Sequence, residues 1–215
     1  MTFDRLAPHY RWIEMICAGP LLQRCRTEFV REISAPRQVL VAGEGNGRFL
    51  AELLRAHPAA RVTCVDASAA MLRLARVRLA RRGVDARRVE FVHADLLAWT
   101  PPAQRFDLLV THFFLDCFRP GQLAPVIAKL AAAAAPGARW LLADFREPER
   151  GPAKWRARFI IRSLYLFFRC VARLPATRLT PPDDFLARHG FTLRERRTRD
   201  WGLLHSDLWS NTRHA

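Results

Sequence analysis

The sequence predicts an α/β fold: a mostly parallel sheet covered by helices on both faces and closed by a C-terminal antiparallel hairpin. Three observations carry this expectation. Short apolar runs alternate with longer amphipathic stretches from Gln38 onward, the first run opens into a glycine-rich loop, and the last two extended runs are joined through Trp201-Gly202.

The expected strands are Val39 to Gly43, Arg61 to Asp66, Val89 to His93, Asp107 to His112 and Arg139 to Phe145. Helical periodicity fills the intervals over Arg48 to Ala56, Ala69 to Arg82 and Leu123 to Ala134, the last ended by Pro136-Gly137. Strands alternating with helices of this length imply right-handed crossovers and a doubly wound sheet. After Phe145 comes a basic, aromatic helical insertion over 150–180, then a short closing helix and the hairpin over 183–210 (Phe191 to Thr198, Leu203 to Ser210). Residues 1–34 form an amphipathic stretch without strand character, expected to lie across the domain as a lid. The whole chain, 1–215, is expected to be one domain, with the ligand-binding core at 38–145.

Composition is that of a globular protein, 50% hydrophobic and 26% charged. The formal net charge of +15 comes from arginine, since Lys129 and Lys154 are the only lysines. That charge suits an anionic partner and equally suits a merely arginine-rich composition. The five cysteines (17, 25, 64, 117 and 170) form neither a disulfide framework nor a zinc pattern, so a reducing, cytoplasmic setting is expected and no metal. Charged residues at Asp4, Arg5, His9, Arg11 and Glu14 argue against a signal peptide.

The loop Gly43-Glu44-Gly45-Asn46-Gly47 joins the first strand to a helix. Glycines there permit a tight turn and close approach of a ligand, and the helix N-terminus presents unpaired N–H groups. The spacing is G-x-G-x-G, without the third small residue of a dinucleotide fingerprint and without the Lys-Ser/Thr of a P-loop, so pyrophosphate is disfavoured. About twenty residues on, Asp66 ends the second strand, where a carboxylate accepts ribose hydroxyls. Together they point to a nucleoside-type ligand.

In order and wording the chain resembles the class I S-adenosylmethionine methyltransferases, which have a Rossmann-like fold. The resemblance rests on Val39 to Gly47 as the glycine motif, Val65-Asp66 as the ribose-binding strand end and His93-Ala94-Asp95 as the adenine-contacting strand end. It continues through Phe106 to Val110 as the fourth strand and Ala135 to Ala138 as the turn before the fifth. It implies S-adenosyl-L-methionine as cofactor and a donor site of Tyr10, Gly43, Glu44, Gly45, Asn46, Gly47, Asp66, Ala67, Met71, Ala94, Asp95, Leu96, Thr111 and His112. One departure stands out: Val41 occupies a position where the family usually carries the carboxylate that helps hold the donor's ammonium. Glu44 either supplies that charge or is a solvated loop residue. The N-terminal Phe3 to Tyr10 and the end of the chain are more loosely similar to ubiquinone/menaquinone-type methyltransferases, which points toward a lipophilic acceptor.

Methyl transfer is an in-line displacement, so few catalytic side chains are needed. The carboxyl end of the fourth strand places Thr111, His112 and Phe113 near the transferred group. His112 reads as a general base or as a pocket-lining residue, and Asp116 as a group orienting an acceptor hydroxyl or as a helix cap. Cys117 reads as an apolar filler and His205 as a surface residue. At helical spacing Lys154, Arg158, Arg162, Arg169 and Arg173 share one face, with Phe159, Ile160, Ile161, Leu164, Phe167, Phe168 and Val171 on the rest. Such a helix roofs an acceptor pocket, lies peripherally on the inner membrane surface, or is a core helix with solvated arginines.

The expected reaction is methylation of a small, largely hydrophobic acceptor at oxygen or carbon, with nitrogen as a further class. An RNA or DNA methyltransferase is the alternative suggested by charge. Against it, the fourth strand ends in Thr-His-Phe-Phe, not the Asn/Asp-Pro-Pro-Tyr/Phe of base methylases, and no Pro-Cys pair is present. A non-catalytic donor-binding subunit is the second alternative, for which Val41 is the hint.

Overall fold

The computed structural model describes residues 19–172 and 176–212, with the side chains of 20–170 and 176–212. The elements are α1 (Gly19–Thr27), β1 (Gln38–Ala42), α2 (Arg48–Ala56), β2 (Arg61–Asp66), α3 (Ala69–Arg81), β3 (Val89–His93), β4 (Phe106–His112), α4 (Pro120–Ala133), β5 (Ala134–Phe145), α5 (Gly151–Ala172), α6 (Asp183–Arg188), β6 (Phe191–Arg199) and β7 (Leu204–Asn211). The seven strands form one sheet in the order β3-β2-β1-β4-β5-β7-β6. The first five run parallel; β7 is antiparallel to both β5 and β6.

The apolar runs in the parallel strands are continuous because both faces are covered. Val39, Val41, Leu108, Val110 and Leu141 pack with Leu50, Leu53, Leu54, Leu72 and Leu79 of α2 and α3. Leu40, Leu109, Trp140 and Leu142 pack with Leu123, Val126, Ile127 and Leu130 of α4 and Leu186 of α6. A third cluster joins Leu22 and Cys25 of α1 to Ala143, Leu203, Leu204 and the inner side of α5, namely Ala157, Ile161 and Tyr165.

One boundary differs from the sequence expectation. The fourth helix starts at Pro120, whose ring suits the first helical position, and ends at Ala133; β5 then runs through Pro136-Gly137. Ala134 is already extended (φ −70°, ψ 130°) and pairs with Phe106, and a register shift between Phe106 and Leu108 takes up the irregular residues.

Much of the arginine is used internally. Arg88 donates to the carbonyls of Leu54, His57 and Pro58 behind α2. Arg197 pairs with Glu28 and Glu32, and Arg199 with Glu28, tying β6 to the segment behind α1.

Candidate active site

β1 and β4 are neighbours, but the chain leaves β1 toward β2 and leaves β4 toward β5, so the loops beyond their carboxyl ends diverge and open a crevice. The pocket there takes Gly43 and Gly45 from the loop after β1, Val65, Asp66 and Ala67 from the end of β2, and Met71 from α3. Ala94, Asp95 and Leu96 after β3, and Phe113, Phe114, Cys117 and Phe118 after β4, complete it. Gly43 has φ +70°, and a Cβ on it would lie 2.1 Å from the Phe114 ring. Gly47 (φ +80°) would carry its Cβ 2.7 Å from Ala75 Cα, so it is what lets α2 and α3 pack closely.

Asp66 is oriented by backbone: Gly45 N–H donates to Oδ2 (3.1 Å) and Ser68 N–H to Oδ1 (2.8 Å). A carboxylate offers about four acceptor positions, so these bonds fix the rotamer of a group still suited to a diol. Asp95 Oδ1 accepts from Leu97 N–H (2.9 Å), and the side chain stays at the pocket edge. Met71 and Leu96 are buried and supply apolar walls for a planar ring. A carboxylate at the rim, a glycine cradle and an apolar slot together fit an adenosine-bearing donor.

Other anticipated donor residues do not line this pocket. Glu44 turns back to cap α2: its Oε1 accepts from Leu50 N–H (3.1 Å), and burial pushes its carboxyl up to about 7 against the opposing pull of Arg26. Asn46 is buried, its carbonyl accepting from Arg78 Nε–H (2.8 Å). Thr111 points into the sheet core, where its hydroxyl accepts from Trp140 Nε1–H (2.8 Å). His112, one step on along β4, points to the α2 side and packs edge-on against Phe49 (4.5 Å between centroids). Its Nδ1 is buried without a hydrogen-bond partner, and desolvation, aided by Arg26, holds the ring well below the usual histidine range and therefore neutral. Tyr10 lies outside the described residues.

A second, apolar cavity adjoins the first. It lies under α5, lined by Asp116, Phe145, Ile161, Leu164, Tyr165 and Phe168. The 3₁₀ turn Leu115–Cys117 stands between the two spaces, Cys117 facing one and Asp116 the other. Tyr165 holds this turn by donating its hydroxyl to the Asp116 carbonyl (2.9 Å). Asp116 N–H in turn donates to Oδ2 of Asp144 (3.3 Å), a buried carboxyl at the end of β5. Burial pushes Asp116 up to about 6. Asp144 is raised further, by burial first and then by the charges of Asp116 and Asp207. Two buried carboxyls this close do not readily ionise together.

His205 corrects an expectation. It is 3% exposed, not a surface residue, because β7 lies between β5 and β6. It sits opposite Asp144 in the β5–β7 register, and its Nδ1 bonds Asp207 Oδ1 (2.9 Å). Asp207, fully buried, also accepts from Arg196 (2.6 and 2.7 Å) and from Trp209 Nε1–H (3.2 Å). Sequence reasoning missed Asp144, Tyr165, Phe114 and Phe118 as site residues. Asp144 alone had a local signal, an acidic residue ending an apolar strand.

Residues 39–137 match the family described as a methyltransferase domain. Over 106 residues the chain is 41% identical to trans-aconitate 2-methyltransferase of Paracidovorax citrulli (49% of this chain, 37% of that protein). Over 151 residues it is 28% identical to demethylmenaquinone methyltransferase of Thermus thermophilus (69% of this chain, 66% of that one). Among solved structures, the mitomycin 7-O-methyltransferase MmcR superposes with a TM-score of 0.72 at 18% identity, covering 98% of this chain and 61% of its own, which speaks to fold. The chain thus spans between about a third and two thirds of the length of these relatives.

Proposed function

We propose that this chain is an S-adenosylmethionine-dependent methyltransferase that moves a methyl group to oxygen or carbon of a small, largely apolar acceptor seated beneath α5. The observation that carries the reading is the adjacency of the two cavities across Cys117 and Asp116. The bound donor supplies a methyl group on a sulfonium whose departure as a neutral thioether drives the transfer. Asp66 and Asp95 hold its nucleoside end, and Gly43 and Gly45 let it approach the backbone.

The acceptor loses a proton as it gains the methyl group. Asp116, at the wall of the acceptor cavity, takes that proton, its carboxyl made more basic by burial. The aromatic walls Phe145 and Phe168 exclude water around it. These walls favour a lipophilic acceptor, and contact with a membrane surface belongs to the same reading. The unpaired thiols of Cys25, Cys64, Cys117 and Cys170 suit the cytoplasm.

The test is calorimetric titration with S-adenosylhomocysteine followed by turnover on hydroxylated aromatics, a lipid extract and total RNA across pH. Donor binding, methylation of lipophilic hydroxyl or carbon acids, and a rate that rises through about pH 6 to a plateau are expected. Methylation of RNA alone, or no donor binding, overturns the reading.

A further inference from the structure

We propose that the outward face of α5, together with the Trp201 turn, seats the protein on an anionic lipid surface. Trp155, Phe159 and Leu166 follow one another along this helix at spacings of four and seven residues and are 68%, 74% and 64% exposed. Large apolar side chains standing together in water mark a contact surface. Arg162 and Arg169 lie beside this ridge, exposed, and among the described residues neither has an acidic partner. The helix contains no Asp or Glu at all.

A second element completes the face. The turn between β6 and β7 holds Asp200 and Trp201 at positive φ (53° and 57°) and leaves Trp201 74% exposed. Arg156 fixes that turn to α5 through Asp200 (3.0 Å), with its guanidinium 6.0 Å from the Trp201 ring. Tryptophan, phenylalanine and leucine with flanking arginines match the acyl–headgroup boundary of a bilayer, where rings insert shallowly and guanidinium groups meet phosphates. The helix is about 33 Å long, enough to span a bilayer, yet its basic residues deny it that role: among the described residues no helix is long and apolar enough to cross a membrane. A nucleic acid would engage the arginines but has no use for an exposed aliphatic Leu166 in line with the rings. The opposite face of the same helix roofs the acceptor cavity through Ile161, Tyr165 and Phe168, so seating places that cavity next to the lipid phase. Delivery from the bilayer rests on the lipophilic-acceptor reading, whereas vesicle binding involves no methyl transfer, so either can fail alone.

The experiment is flotation with phosphatidylcholine vesicles with and without phosphatidylglycerol, beside binding of single-stranded RNA in the same buffer. Wild-type protein should float with the anionic vesicles. Trp155→Ser/Phe159→Ser/Leu166→Ser should lower vesicle binding by roughly tenfold or more, with affinity for S-adenosylhomocysteine unchanged as a check on folding. Trp201→Ser, outside the helix, should weaken it less. Arg162→Gln/Arg169→Gln should weaken binding and flatten its salt dependence. Failure of the wild type to float, flotation of the triple variant as wild type, or RNA binding that outcompetes anionic vesicles would each overturn the assignment.

Discussion

The β1–β3 half of the sheet and the β5–β7 half hold their polar groups by different means. In the first, Asp66 ends β2 and Asp95 follows β3 at the rim, and both are fixed by N–H groups of nearby loops or of residues two positions on, such as Ser68 and Leu97. In the second, Asp144, His205 and Asp207 are buried in the sheet: Asp144 accepts from Asp116 on another element, and Asp207 joins Arg196 across the β6–β7 pairing to His205 and Trp209 on its own strand. Buried carboxylates must be paired or hold a proton, a demand that falls on the second half. The first arrangement suits binding a polar donor and the second suits moving a proton.

The largest contrast should come from Asp207. Asp207→Ala leaves His205 and Trp209 without their buried acceptor and Arg196 with Asp183 alone, and we expect a loss of about 3–5 kcal/mol in denaturant unfolding; a loss below about 1 kcal/mol would mean the network does not hold this half together. Asp116→Asn should lower turnover by about a hundredfold or more while leaving S-adenosylhomocysteine affinity intact. Should His112→Ala instead abolish turnover at unchanged donor affinity, the proton acceptor would be His112. On the donor side, Asp66→Ala should weaken S-adenosylhomocysteine by about 1.5–3 kcal/mol, measured by calorimetry, without changing unfolding by comparable amounts.

The smallest effect concerns pH. Asp144 is raised in the folded protein above its unfolded value, so its contribution is fully present below the unfolded carboxylate range and is lost as pH rises through the folded value. His112, depressed when folded, acts oppositely: its contribution is present above the usual histidine range and is lost as pH falls. Asp144→Asn mimics the neutral acid and should flatten the decline in stability on the alkaline side, seen in unfolding midpoints from acid to alkaline pH. An unchanged slope would locate the titration elsewhere.

The donor half was legible because each of its signals is local. A G-x-G-x-G loop, an acid ending a strand and an amphipathic helix each lie within a dozen consecutive residues, and β2, β3 and α2 fall where the periodicity puts them. His112 shows where that logic stops. Strand alternation places it on the face opposite Thr111, but whether that face is open or packed on Phe49 depends on α2.

By itself the sequence determined the α/β order, the turn chemistry that builds the donor pocket and the amphipathic character of α5, because periodicity and turn preferences act between near neighbours. Tertiary structure decided which face of α5 is a roof and which is exposed. It also buried His205 and joined Asp116 to Asp144 and Tyr165, 28 and 49 residues away. Such meetings are set by how the sheet is ordered and what packs beyond its edge, and no local pattern encodes them.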